Sequence, residues 1–290
     1  GRDLELRLPH LRVAARVFGP EDGAPTLALH GWLDNAASFE RLGPLLPELR
    51  LVALDLPGHG RSEHRPAAAV HHFIDWVPEV AAAADALGWE SFSLIGHSMG
   101  AGISSLTPAA FPDRVRRVVL LEGAGPLAAS AETAPAQLVS ALADEARARE
   151  VTGRVFPDPE SAVAARVRDS DLDPASARLL VERGTEAVDG GVRFTHDPRL
   201  RSRSRLRFTE EQVREKEIPY CVGSFPFSGA GRAVNQRDGL SREGISDGLA
   251  LRLVERLIKK AEIGNVESVG GSIAKRDLSE LPQRAGLLGM

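Results

Sequence analysis

Phe92-Ser93-Leu94-Ile95-Gly96-His97-Ser98-Met99-Gly100-Ala101-Gly102 is a short apolar run that leads into a serine flanked by glycines. A helix-like segment, 99–110, follows directly. The pattern G-x-S-x-G arises by chance in a chain with 28 glycines, so the context of strand, sharp turn and helix carries the reading. Glycines at 96 and 100 let strand and helix approach without Cβ clashes. Such a turn lifts the Ser98 hydroxyl to the top of a sheet. The first amides of the helix face the same spot, where they favour the anion that forms when a hydroxyl attacks a carbonyl.

Working outward, 26–29, 51–54 and 115–121 are also short, nearly continuous apolar runs, as expected for parallel strands covered on both faces. Helix-like segments at 38–49, 72–87 and 99–110 alternate with them. That alternation predicts an α/β fold with a mostly parallel, doubly wound sheet. Segments 4–8 and 11–18, separated by Pro9-His10, read as a hairpin in front of it. After Gly125 come amphipathic helices at 136–149, 159–167 and 175–183, with no strand expected between them. Residues 125–211 thus read as a helical cap over the carboxyl ends of the strands, where α/β sheets keep their sites. The core is then 1–124 together with 212–290.

At the end of the cap Arg201, Arg203, Arg205 and Arg207 alternate, which reads as a solvated edge, with a pocket for an acidic group as the alternative. The last part reads as a strand at 218–223, a loop at 224–247, a helix at 249–263, a strand at 265–269 and a helix at 277–288. Pro108 should kink or end the helix after Ser98, because an interior proline costs ~3 kcal/mol.

The 36 basic and 40 acidic residues leave a net charge of −4, so no global field recruits nucleic acid or an anionic membrane. A small-molecule partner is the expectation; oligomeric state is left open. No run approaches the ~18 apolar residues of a membrane span, and Gly1-Arg2-Asp3 begins no apolar leader. The expected location is cytoplasmic. Cys221 is the single cysteine, which excludes an internal disulfide and a cysteine-rich metal site. It reads as a small apolar residue in a strand.

A second block, His30-Gly31-Trp32-Leu33-Asp34-Asn35, ends the 26–29 run. Oxyanion stabilisation needs two converging backbone donors, one after the nucleophile and one from the loop after this strand. Met99 and Trp32 are the candidates, through their amides, and His30 reads as a brace for the loop. These blocks, with Asp55-Leu56-Pro57-Gly58-His59-Gly60-Arg61-Ser62, the run 115–126 and Thr195-His196-Asp197-Pro198-Arg199-Leu200, resemble the α/β-hydrolase superfamily, most closely its serine-hydrolase-like branch. The resemblance covers about residues 5–213. It implies hydrolysis of an ester, thioester, amide or similar carbonyl compound, with neither cofactor nor metal. A serine nucleophile argues against a haloalkane dehalogenase or an epoxide hydrolase.

A triad also needs an acid and a base. Glu122, at the end of the 115–121 run, is the candidate acid and Asp238 the weaker alternative. The eight histidines are 10, 30, 59, 64, 71, 72, 97 and 196, so none lies beyond 196. The resembled family carries its base after the last strand, where this chain has Gly270-Gly271-Ser272. His196 keeps the usual order of nucleophile, acid and base and is the substitute candidate. His97 sits on the elbow, where its ring should point away from the hydroxyl, and His71 and His72 read as the start of a helix. The expectation is a serine hydrolase that forms an acyl-enzyme on Ser98 from a small apolar ester, lined by cap residues such as Val139, Leu142 and Val167. The alternative is a fold of this type that binds a small ligand without turnover.

Overall fold

The computed structural model describes residues 1–212 apart from 124, 171 and 210. The expectations for Cys221, Asp238, Gly270 to Ser272 and the elements from 218 onward lie outside the described residues. Among the described residues the main sheet has six strands: β1 Arg2–Arg7, β2 Arg12–Phe18, β3 Ala24–Leu29, β4 Leu49–Leu54, β5 Phe92–His97 and β6 Val115–Leu121. Their order is β1-β2-β4-β3-β5-β6. The hairpin joins β4 antiparallel, while β4, β3, β5 and β6 run parallel. The continuous apolar runs are explained by position: Leu27, Leu29, Val52, Leu94 and Phe92 are buried together with Trp76, Val80 and Ile103 from the covering helices.

Those helices are α1 Trp76–Ala86 and α2 Met99–Ala110. Pro108 lies inside α2, which ends at Ala110, as the missing amide requires. The helix expected at 38–49 does not form. The stretch holds two 3-10 turns, Ala36–Phe39 and Gly43–Leu45, and Leu49 already opens β4. Gly43-Pro44 and Pro47 deny it the amides and the propensity a helix needs, although its leucines keep helical spacing. His72 likewise precedes a 3-10 turn, Phe73–Asp75, rather than opening α1.

Beyond β6 the chain forms α3 Ala134–Ala148, β7 Val155–Phe156, α4 Pro159–Ser170, α5 Pro174–Gly184, β8 Thr185–Val188 and β9 Gly191–Phe194. The three helices stand where expected. The small antiparallel sheet β7-β9-β8 was not expected. It turns at Asp189-Gly190, where Gly190 takes φ 82°, and it packs Phe156 against Val163, Ala177 and Val181. Arg201, Arg203 and Arg207 are exposed, as a solvated edge requires, and Arg203 and Arg205 also pair with Asp144 and Glu145 of α3.

A buried ion pair ties this segment to the sheet. Arg183 of α5, only 5% exposed, donates to Asp55, which is 0% exposed, at 3.0 Å and to Asp3 at 2.6 Å. Asp55 also accepts the amides of Ala36 at 2.7 Å and Arg61 at 2.9 Å. One carboxylate therefore holds the loops after β3 and β4 and the helix above them.

Candidate active site

Ser98 lies between β5 and α2 with φ 51° and ψ −112°, a region that costs a non-glycine residue of order 1–3 kcal/mol. The strain is held by hydrogen bonds on both sides. The Ser98 amide donates to the Leu121 carbonyl at 2.8 Å, and its own carbonyl accepts from Ala101 at 3.0 Å and Gly102 at 3.1 Å. The flanking glycines are required by contact. A Cβ on Gly96 would stand 2.3 Å from the Gly100 carbonyl oxygen, and one on Gly100 would stand 2.1 Å from that of Leu29. Ser98 is exposed. The Met99 amide is the first of α2, so it has no acceptor within the helix.

The loop after β3 lies alongside. Gly100 donates its amide to the His30 carbonyl at 3.1 Å, which links the elbow to this loop. His30 is fully buried. Its Nε2 accepts the Leu56 amide at 3.0 Å, so Nδ1 carries the proton and donates to the Gly31 carbonyl at 2.7 Å. Burial lowers its pKa and keeps it neutral, so His30 braces the loops after β3 and β4. Trp32 is 46% exposed, and Leu33, next to it, takes φ 59°.

Glu122 follows β6, also at positive φ, 54°. Its carboxylate accepts a hydrogen bond from His97 Nε2 at 3.1 Å. Burial acts to lower the His97 pKa, but the hydrogen bond and charge of Glu122, with the charge of Asp34, raise it overall. The hydrogen bond from His97 in turn lowers that of Glu122. The pair thus contributes its full stabilisation between the ordinary values, about 4.5 for the carboxyl and 6.5 for the imidazole. That contribution is lost as pH rises through the raised imidazole value or falls through the lowered carboxylate value. His97→Gln should therefore lower the urea midpoint most near pH 5.5 and least above pH 8; an equal loss at every pH would contradict the pairing.

His196 lines a cleft with Leu33, Asp34, Arg166 and Phe194. Its ring lies 5.8 Å from that of Phe194. Burial, then the charges of Arg201 and Arg166, lower its pKa to about 4. It is neutral near pH 7, and weakly basic. In the unfolded chain it binds a proton near 6.5, so stability should fall as pH drops from 6.5 toward 4. His196→Gln should blunt that acid loss in urea titrations at pH 4.5 and 7; an unchanged difference would refute the low value.

His71 is equally committed, donating from Nε2 to the buried Asp197 at 3.1 Å. Burial would raise the Asp197 pKa, but His71 and Arg199 hold it well below the carboxylate range. Among the described residues no imidazole is hydrogen-bonded to the Ser98 hydroxyl. Among them, too, no group of three or more His, Cys, Asp or Glu could hold a metal ion, and no helix is long and apolar enough to cross a membrane.

Sequence reasoning missed Asn35, Arg166 and Arg183. Each acts through a partner more than a hundred positions away, and such pairs leave no local signature.

The sequence model of the α/β-hydrolase fold matches residues 25–188. A serine hydrolase-like protein from Danio rerio is 36% identical over 203 residues, 68% of this chain and 62% of the relative. Serine hydrolase-like protein 2 from Homo sapiens is 34% identical over 203 residues, 68% of this chain and 65% of the relative. The chain therefore spans less than two thirds of the length of these relatives. Among solved structures, a hypothetical protein from Pseudomonas aeruginosa shares 44% identity at a TM-score of 0.71, over 73% of this chain and 76% of that one. The thioesterase domain from the curacin biosynthetic pathway shares 26% identity at a TM-score of 0.62, over 70% and 75%. With the strand order, the strained serine at the end of β5 and a family match over residues 25–188, the chain belongs to the α/β-hydrolase fold family.

Proposed function

We propose that the protein is a serine hydrolase that cleaves a small ester or related acyl compound through an acyl-enzyme on Ser98. The observation that carries this is the elbow: an exposed serine held at φ 51° at the N-terminus of α2. A strained nucleophile at the positive end of a helix dipole is what attack on a carbonyl needs. The amides of Met99 and Trp32 hold the oxyanion, and residues 125–211 cap the site. Glu122 is the acid that orients a base, and His196 is the substitute candidate for that base. The names of the relatives support hydrolysis, and the thioesterase neighbour supports acyl chemistry.

Oxyanion donors and binding alone sustain ~10³ to 10⁴-fold acceleration over water when a triad member is missing, so turnover does not require a complete triad. Treating the protein with a fluorophosphonate probe and mapping the adduct by peptide mass spectrometry tests the reading. An adduct on Ser98 is expected, and an unmodified serine after prolonged exposure would overturn it. A second reading, binding of a small ligand without turnover, is favoured by the lack, among the described residues, of an imidazole hydrogen-bonded to the Ser98 hydroxyl. It predicts equal thermal stabilisation of the wild type and Ser98→Ala by a given ligand, with no catalysis by either.

A further inference from the structure

The loop that presents the Trp32 amide has its polar side chains turned toward the segment beyond β6. Trp32 donates its indole N–H to the Leu200 carbonyl at 3.0 Å. Asp34 accepts from Arg166 of α4, and Asn35 donates to the Leu180 carbonyl of α5 at 2.9 Å. Three neighbouring side chains thus reach three separate pieces of one segment. Between them Leu33 holds its positive φ of 59°, a conformation that persists only where the surroundings over-determine it. The sheet side holds the loop at its ends, where the His30 carbonyl accepts from Gly100 at 3.1 Å and Ala36 donates to Asp55 at 2.7 Å, and within it the Asp34 amide donates to the Gly31 carbonyl at 3.2 Å.

We propose that Arg166 and Asp34 are positioning residues, whose ion pair locks the Trp32 amide in place, so that seating the cap and completing the oxyanion hole are a single event. This rests on the serine-hydrolase reading above. Of the three ties the ion pair is the one between two charged side chains, so it is the one that a neutral substitution or salt opens selectively. Its side chains are 21% and 13% exposed, whereas the Asn35 bond is buried and the Trp32 bond ends on backbone. Once it opens, the Asp34 carboxylate loses the guanidinium that ties it to α4, Leu33 can relax from the left-handed region, and the adjacent amide turns away from the oxyanion. A displacement of about 1 Å at such a donor costs up to about 100-fold in rate, and loss of one donor costs about 10² to 10³-fold.

The test is a double-mutant cycle on turnover of p-nitrophenyl acetate and on the rate of fluorophosphonate labelling. Arg166→Met and Asp34→Asn should each lower kcat by about tenfold or more with KM changed less than about twofold. Labelling should slow in parallel, the double variant should be no slower than the worse single, and Arg166→Lys should recover part of the loss. Unchanged kcat in variants whose circular dichroism shows them folded would overturn the proposal. So would a double variant that falls to the product of the two singles, or a KM rise at constant kcat, which would make Arg166 a substrate contact.

The wild type gives a second reading should a variant not fold. Raising salt from ~0.05 to ~1 M, where screening reaches about 3 Å, should lower its kcat, and a salt-independent kcat counts against the lock. A wild type whose Ser98 takes no label overturns the hydrolase reading, and the lock with it. A labelled wild type with unaffected variants overturns the lock alone.

Discussion

Ser98→Ala should lose covalent labelling entirely and reduce ester turnover to the level of the bare site. With the nucleophile gone, no acyl-enzyme forms and no burst phase remains, and only the amide donors and the binding cleft act on the substrate. In complete serine triads loss of the nucleophile costs up to about 10⁶ in kcat. Here a drop of about 10²-fold or more is the expected floor, because the residual rate over water comes from the oxyanion donors. The substitution is close to neutral for folding: Ser98 makes its hydrogen bonds through its backbone and its side chain is exposed. Pre-steady-state kinetics with p-nitrophenyl acetate check the result, with urea titration as the control for folding. Turnover that survives Ser98→Ala at the wild-type level would place the chemistry on another residue.

The largest effect on stability is expected at Asp55, far from the hydroxyl. Its carboxylate is fully buried, receives the guanidinium of Arg183 and the amides of Ala36 and Arg61, and has no access to water. Asp55→Ala removes the only buried anion facing Arg183 among these contacts and leaves a 5% exposed cation with the partly exposed Asp3 alone. Breaking one side of such a pair costs about 3–5 kcal/mol, against a total of ~5 to 15 kcal/mol for a domain. The urea midpoint should fall accordingly. Asp55→Ala with Arg183→Met should regain a large part, since a neutral apolar pair has no unpaired charge to bury. If the double variant is as unstable as the sum of the singles, the two side chains are not coupled as the contacts indicate.

What could be read from the sequence was what is local. The strands β3 to β5 were legible because each is buried on both faces, which forces continuous apolar runs, and β6, only partly buried, was legible from the same apolar pattern. Ser98 was legible because strand, glycine-flanked turn and helix are contiguous. The 38–49 segment misled, since leucines at helical spacing outweighed Gly43-Pro44 and Pro47 in the reading. The small sheet β7-β9-β8 was missed for the opposite reason: β7 is two residues long, too short for any period to show. Val188-Asp189-Gly190-Gly191-Val192 did carry a usable signal, because Asp-Gly between apolar residues is a hairpin turn. Arg166, Arg183 and Asn35 could not be found this way, since nothing near Asp34 or Asp55 announces a partner 128 to 145 positions away.

The close approach at Gly100 has a wider bearing. The elbow and the root of the oxyanion loop are joined through main chain, by the Gly100 to His30 hydrogen bond and by a glycine that sets no Cβ against Leu29. The spacing of these two points is therefore insensitive to the side chains around them, whereas the Trp32 amide further along the loop answers to Asp34 and Arg166. Diversification of what such a scaffold accepts can proceed by rewriting the helices and short strands after β6 around a retained Arg166 to Asp34 pair, while the elbow itself is inherited unchanged.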